Sequence, residues 1–194
     1  MTGFNADEFM PGRDQTVAEF QQSVRARYGT HADRLLALYP HATDEEAAKS
    51  ARMLVRDAYM ASTYRWAAQR SRSGGQPVYA YLYTHSAPVS KPPSFGTFHT
   101  SEVPDVFGVL DLNHRPYGSA DAQIAAQLQS YWLNFIRTGD PNGGQFPRWS
   151  AVKGDAIQVM GLGDDVGPRP PVSSSQRFQA LMAFADSGGR LSIR

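Results

Sequence analysis

Val78-Tyr79-Ala80-Tyr81-Leu82-Tyr83-Thr84 is the stretch on which the fold turns. It alternates with period two: Tyr79, Tyr81 and Tyr83 share one face, and Val78, Ala80 and Leu82 share the other. Because successive strand side chains point to opposite faces, both faces here are largely apolar. Such a strand belongs inside a sheet with helices above and below it, so Pro77 to Thr84 is predicted as a buried strand. Its backbone donors and acceptors need neighbouring strands. The chain offers only one other strand candidate, Ala156 to Leu162, which is short. The expectation is therefore that the neighbours of 77–84 lie outside this sequence, leaving its edge and one face exposed.

Helices surround that strand. Thr16-x-x-Glu19 and Thr43-x-x-Glu46 have the form of capping boxes. The first opens a predicted helix from Asp14 to Tyr28, in which Val17, Phe20, Val24 and Tyr28 recur at helical spacing before Gly29. A short helix, Ala32 to Leu38, stops before Pro40. The second box opens a long helical stretch reaching Arg72 and closed by Gly74-Gly75, with a break expected near Asp57 to Met60. Downstream, Ile124, Leu128, Tyr131, Trp132, Phe135 and Ile136 form an amphipathic stripe over Ser119 to Arg137, ended by Gly139. A last helix is predicted over Ser173 to Ala185.

Composition narrows the function classes. The 194 residues are 41% hydrophobic and 19% charged, which fits a globular chain with a core. Nineteen basic against eighteen acidic residues leave no electrostatic footprint for nucleic acid or an anionic membrane. The absence of cysteine excludes disulfides and thiolate metal sites. No run of about 18 apolar residues suggests a membrane span, and the residues after Met1 contain no secretory signal pattern; the compartment stays open. His31, His41, His85 and His114 are scattered, without the pairing of a helical metal site, and read as surface or loop residues. Asp164-Asp165 lacks the spacing of a calcium loop and reads as a solvated turn.

Two short motifs carry the chemistry. Thr2-Gly3-Phe4-Asn5-Ala6-Asp7-Glu8 resembles the acid loop of type-B carboxylesterases, in which Glu8 matches the triad acid. Phe95-Gly96-Thr97-Phe98-His99-Thr100-Ser101-Glu102-Val103-Pro104-Asp105-Val106-Phe107-Gly108 resembles that family's histidine loop, with His99 at the position of the base. Tyr131-Trp132-x-Asn134-Phe135-x-Arg137-Thr138-Gly139-Asp140-Pro141-Asn142 and Pro147-Arg148-Trp149 are similar to the helix, turn and Trp segment that follow it. The order, acid before base, is that of α/β-hydrolases. Phe9 and Thr100 depart from the family's usual glycines. Glu102 has two open readings, a hydrogen bond near the histidine or a structural role in the following turn, and the second is preferred.

The resemblance implies the C-terminal part of an α/β-hydrolase fold, helix-rich with an incomplete sheet. Its organisation would be an acid loop over 1–12, helices over 14–73, a strand over 77–84, the histidine loop over 95–108, a long helix over 119–137 and a C-terminal segment over 145–194. No Gly-x-Ser-x-Gly nucleophile motif occurs. The implied activity is serine carboxylesterase hydrolysis of a small-molecule ester, with Glu8 and His99 supplied here and the serine expected from an N-terminal esterase half. The chain by itself would then be inactive, and no cofactor or metal is implied. Two alternatives stay open: a non-catalytic binding or adhesion module on a cholinesterase-like fold, and one subunit of a split hydrolase.

Overall fold

The structure, a computed structural model, describes residues 1–8, 14–91, 96–153, 158–172 and 174–191. The predictions touching Phe9, Phe95, Ala156 and Ser173 lie outside the described residues. The chain divides into two compact units, one of Met1–Met10 with Trp66–Arg169 and the other of Pro11–Arg65 with Pro170–Arg194.

The first unit holds a four-stranded sheet in the order β1 (Thr2–Asn5), β2 (Ala80–Tyr83), β3 (Val159–Leu162), β4 (Gly167–Arg169). The β1–β2 and β2–β3 pairs are parallel, and β4 returns antiparallel to β3. Two sequence expectations change here. The strand predicted over 77–84 forms as β2 over Ala80–Tyr83 and is interior, with both edges paired inside this chain, so its edge is not exposed. The first of its neighbours, β1, lies within the stretch expected to be only a loop, 1–12. Gly3 is what lets this neighbour approach: a Cβ there would lie inside the ring of Tyr81 on β2. In this order β1 and β4 are the outer strands and β2 is an inner one.

The tyrosine face of β2 packs beneath α5 (Ser119–Thr138). Tyr79, Tyr83, Ile124, Leu128, Tyr131, Trp149, Met160 and Leu162 form one buried cluster there, with Tyr81, Trp132 and Phe135 at its margin. The Trp149 ring meets Tyr79, Tyr81 and Tyr131 edge to face, and its indole N–H donates to the Ala80 carbonyl at 3.2 Å. Burial of that aromatic area stabilises this unit. A short helix, α4 (Val103–Phe107), follows the histidine loop and ends on Gly108 in the left-handed region.

In the second unit, α1 (Val17–Tyr28) carries the predicted capping box: Glu19 N–H donates to Thr16 Oγ1, and Thr16 N–H to the Glu19 carboxylate. Here too lie α2 (Ala32–Leu36) and α6 (Ser175–Asp186), the latter capped by Ser174. The long helix α3 (Asp44–Ser73) runs without the break expected near Asp57 to Met60. Aspartate disfavours helix interiors because its carboxylate competes for nearby backbone groups. Asp57 does not compete: it is 1% exposed, accepts from the Tyr39 hydroxyl at 2.9 Å, and lies 3.8 Å from the Arg177 guanidinium.

Candidate active site

Because β1 and β2 are adjacent and parallel, the segments leaving their carboxyl ends emerge at the same end of the sheet. That end is where open α/β sheets place their ligands. The two segments are then stitched together. Ala6 N–H donates to the Tyr83 carbonyl at 2.9 Å, and Asp7 N–H to the Thr97 carbonyl at 3.0 Å. Asp7 and Phe98 form a parallel bridge, and Thr97 N–H donates to the Asp7 carboxylate at 2.9 Å. Gly96, at φ +64°, sits where a Cβ would strike that carboxylate.

This stitching brings Glu8 and His99 together. His99 Nδ1 and Glu8 Oε1 are hydrogen-bonded across 91 residues of sequence. The other Glu8 oxygen accepts from Asn5 N–H at 2.8 Å, and Glu8 N–H donates to the Asn5 carbonyl at 3.1 Å, closing a turn. The Glu8 side chain is 18% exposed and the His99 side chain 75%. A shielded carboxylate thus holds an accessible imidazole. The Glu8 hydrogen bond and charge hold the His99 pKa above its ordinary value, with a smaller push from Glu102. Nδ1 is occupied, so Nε2 is the ring nitrogen left to exchange a proton with a reacting group.

Glu102 stands at the N-terminal boundary of α4, but its side chain does not cap the helix. Its carboxylate instead accepts from Asn5 Nδ2 at 2.6 Å. Burial raises the Tyr81 phenol pKa, and the charges of Glu102 and Glu8 raise it further. Thr100 follows His99 at φ +71°, a left-handed conformation that suits the glycine usual there.

His85 lies in the irregular chain after β2, as expected of a loop histidine, but it is not on the surface. It is 7% exposed, with Nε2 bonded to Asp121 and Nδ1 to Asp164, each at 2.8 Å. Burial alone would lower its pKa, but the two carboxylates outweigh that and raise it. Asp164 keeps the exposure expected of a turn, 76% of its side chain, while holding this bond. Beside them Tyr83 donates its hydroxyl to Asp105 at 2.6 Å. Burial raises the pKa of Asp105, against the pull of that bond and of His85. His114 is exposed, and His31 and His41 are half-buried, the former beside Ser187 and the latter on the Tyr39 carbonyl. Among the described residues no group of three His, Asp or Glu side chains is arranged to hold a metal ion, and no helix is long and apolar enough to cross a membrane.

A family model described as the carboxylesterase family matches residues 6–179. The chain belongs to the carboxylesterase family. Among curated members and their relatives, carboxylesterase 4A of Bos taurus is 28% identical over 152 residues, covering 74% of this chain and 28% of its own length. Neuroligin-3 of Macaca mulatta is 39% identical over 74 residues, covering 35% of this chain and 37% of that sequence. Among solved structures, a thermophilic PNB esterase superposes with a TM-score of 0.69 at 25% identity, covering 92% of this chain and 37% of the esterase. The expected fold class, the C-terminal part of an α/β-hydrolase fold with an incomplete sheet, stands. The chain spans about a third of the length of these carboxylesterase-family relatives.

Proposed function

We propose that this chain supplies the acid and the base of a serine carboxylesterase. The hydrogen bond between Glu8 and His99 supports this reading most directly. In acyl transfer His99 Nε2 takes the proton of a serine hydroxyl as that oxygen bonds to the ester carbonyl carbon. It then returns the proton to the departing alcohol oxygen as the C–O bond breaks. In the second half it takes a proton from water, which attacks the acyl-serine, and gives it back to the serine oxygen. Glu8, bonded to Nδ1, fixes the tautomer and stabilises the imidazolium that forms twice in each cycle.

The sequence holds no Gly-x-Ser-x-Gly, so the nucleophile and the oxyanion donors are assigned to an N-terminal esterase half. This chain by itself should hydrolyse nitrophenyl acetate no faster than free histidine does. Co-expressed with a serine-bearing N-terminal half, it should acquire hydrolysis that His99→Ala reduces by about 10⁴-fold or more. Stoichiometric labelling of the chain by a serine-reactive phosphonate, with burst kinetics, would contradict the division of labour. A chain that stays monomeric and gains no activity from the N-terminal half would favour the non-catalytic binding module.

A further inference from the structure

Asn5, the last residue of β1, is 2% exposed and touches both Glu8 and the chain on either side of His99. Its backbone N–H holds Glu8 Oε2 at 2.8 Å. Its side-chain Nδ2 donates to the Phe98 carbonyl at 2.9 Å and to the Glu102 carboxylate at 2.6 Å. Phe98 immediately precedes His99, and Glu102 begins the helix that follows it. We propose that Asn5 is the positioning residue of this site: its main chain fixes the acid and its amide clamps the histidine loop on both sides of His99. The inference rests on the acid–base reading of Glu8 and His99.

Chemistry makes the residue type specific. Both partners of the amide can only accept, a carbonyl oxygen and a carboxylate, so the NH₂ end must face them and both of its protons are used. Aspartate has the same shape but no donor, and serine has one donor where two are needed. The Phe98 carbonyl also accepts from Ser101 N–H at 3.0 Å, so both of its lone pairs are engaged and its direction is fixed. Glu8 is constrained in the same way. One oxygen serves His99 and the other serves the Asn5 N–H, so the carboxylate cannot rotate without losing one bond. The Asp7 contacts with Thr97 and Phe98 join the two loops but reach neither Glu102 nor the Glu8 carboxylate. They leave the aim of the pair to Asn5.

The test is the proton titration of the His99 ring, followed by NMR in the full chain. With Glu8 in place the midpoint should lie above the ordinary histidine value of about 6.5, and Glu8→Gln should bring it down to that value. Asn5→Ala keeps the backbone N–H but removes the clamp. It should move the midpoint downward by at least half as far as Glu8→Gln does. An Asn5→Ala chain that melts cooperatively and titrates as the unsubstituted chain does would overturn the positioning role. If Glu8→Gln leaves His99 unmoved, the acid–base reading itself fails, which is a separate outcome. The unsubstituted chain gives a second readout that needs no variant. The Asn5 amide protons should exchange with solvent at least tenfold more slowly than those of exposed Gln22, and their shifts should follow the His99 midpoint. Fast exchange with shifts indifferent to His99 would equally overturn the proposal.

Discussion

Thr100 offers a test of the histidine loop that uses backbone strain alone. It adopts φ +71° and is exposed. Placing an L-residue in the left-handed region costs about 1–2 kcal/mol, and a β-branched residue fits it poorly. Thr100→Gly removes that cost and, because the side chain is exposed, sacrifices no buried area. Against it stands the extra freedom of glycine in the unfolded chain, about 0.4–1 kcal/mol. The net expectation is stabilisation by about 0.5–1 kcal/mol. At roughly 2–4 °C per kcal/mol for a chain of this size, the melting temperature should rise by about 1–4 °C. The assay is a thermal melt followed by circular dichroism at fixed pH and protein concentration. Thr30→Gly is the control, since Thr30 is also exposed but does not have a positive φ. That control should lower the melting temperature, and Thr100→Asn should fall between Thr100→Gly and the unsubstituted chain. A Thr100→Gly chain that melts no higher than the unsubstituted one, or falls with the control, refutes the reasoning.

The other predictions concern buried charge. Arg177 donates to the Leu38 carbonyl at 3.0 Å, stacks 4.3 Å over the Tyr39 ring and faces buried Asp57; Arg177→Ala should cost about 3–5 kcal/mol by urea denaturation, as for other broken buried pairs. Burial raises the Asp57 pKa, so that loss should shrink as the pH is lowered and the lone carboxylate takes a proton. His85, with its pKa raised by Asp164 and Asp121, contributes stability that is complete below the ordinary histidine value and is lost as the pH rises through its folded value. The melting temperature should therefore fall above pH ~6.5, and His85→Gln should flatten part of that fall. His99, also raised, contributes with the same sign, so the flattening should be incomplete.

What could be read from the residues followed from local rules. The box at Thr16 and Glu19 and the stripe from Ile124 to Ile136 are each written within one element, and both helices form there, although Ile136 at the end of the stripe is exposed. β2 was legible from its alternation, and β3 only as a short candidate without it. Thr2-Gly3-Phe4-Asn5 has neither alternation nor β-branched bulk after Thr2, and it becomes a strand because Gly3 accepts the Tyr81 ring. Gly167-Pro168-Arg169 is poor strand material, tolerated because it lies on a sheet edge where proline's absent N–H is not needed. The two polar residues that sequence reading misjudged or missed, His85 and Asn5, take their meaning from distant partners. Asp121 and Asp164 lie 36 and 79 residues from His85, and Phe98 lies 93 from Asn5. No window of neighbouring residues carries that information. The Glu8–His99 pair is equally distant, and it was legible only because each member sits in a family motif.

The bridge between Asp7 and Phe98 has one further consequence. The loops bearing Glu8 and His99 are joined directly, at the ends of two strands that touch. The chain between them includes helices α1 to α3. Entropy charges little for the length of such a detour, since doubling a loop adds only about 0.6 kcal/mol to its closure. Residues can thus be inserted or deleted among those helices without changing the distance between Glu8 and His99. The detour can therefore lengthen or shorten, and change whatever surface it presents, while Glu8 and His99 keep their contact.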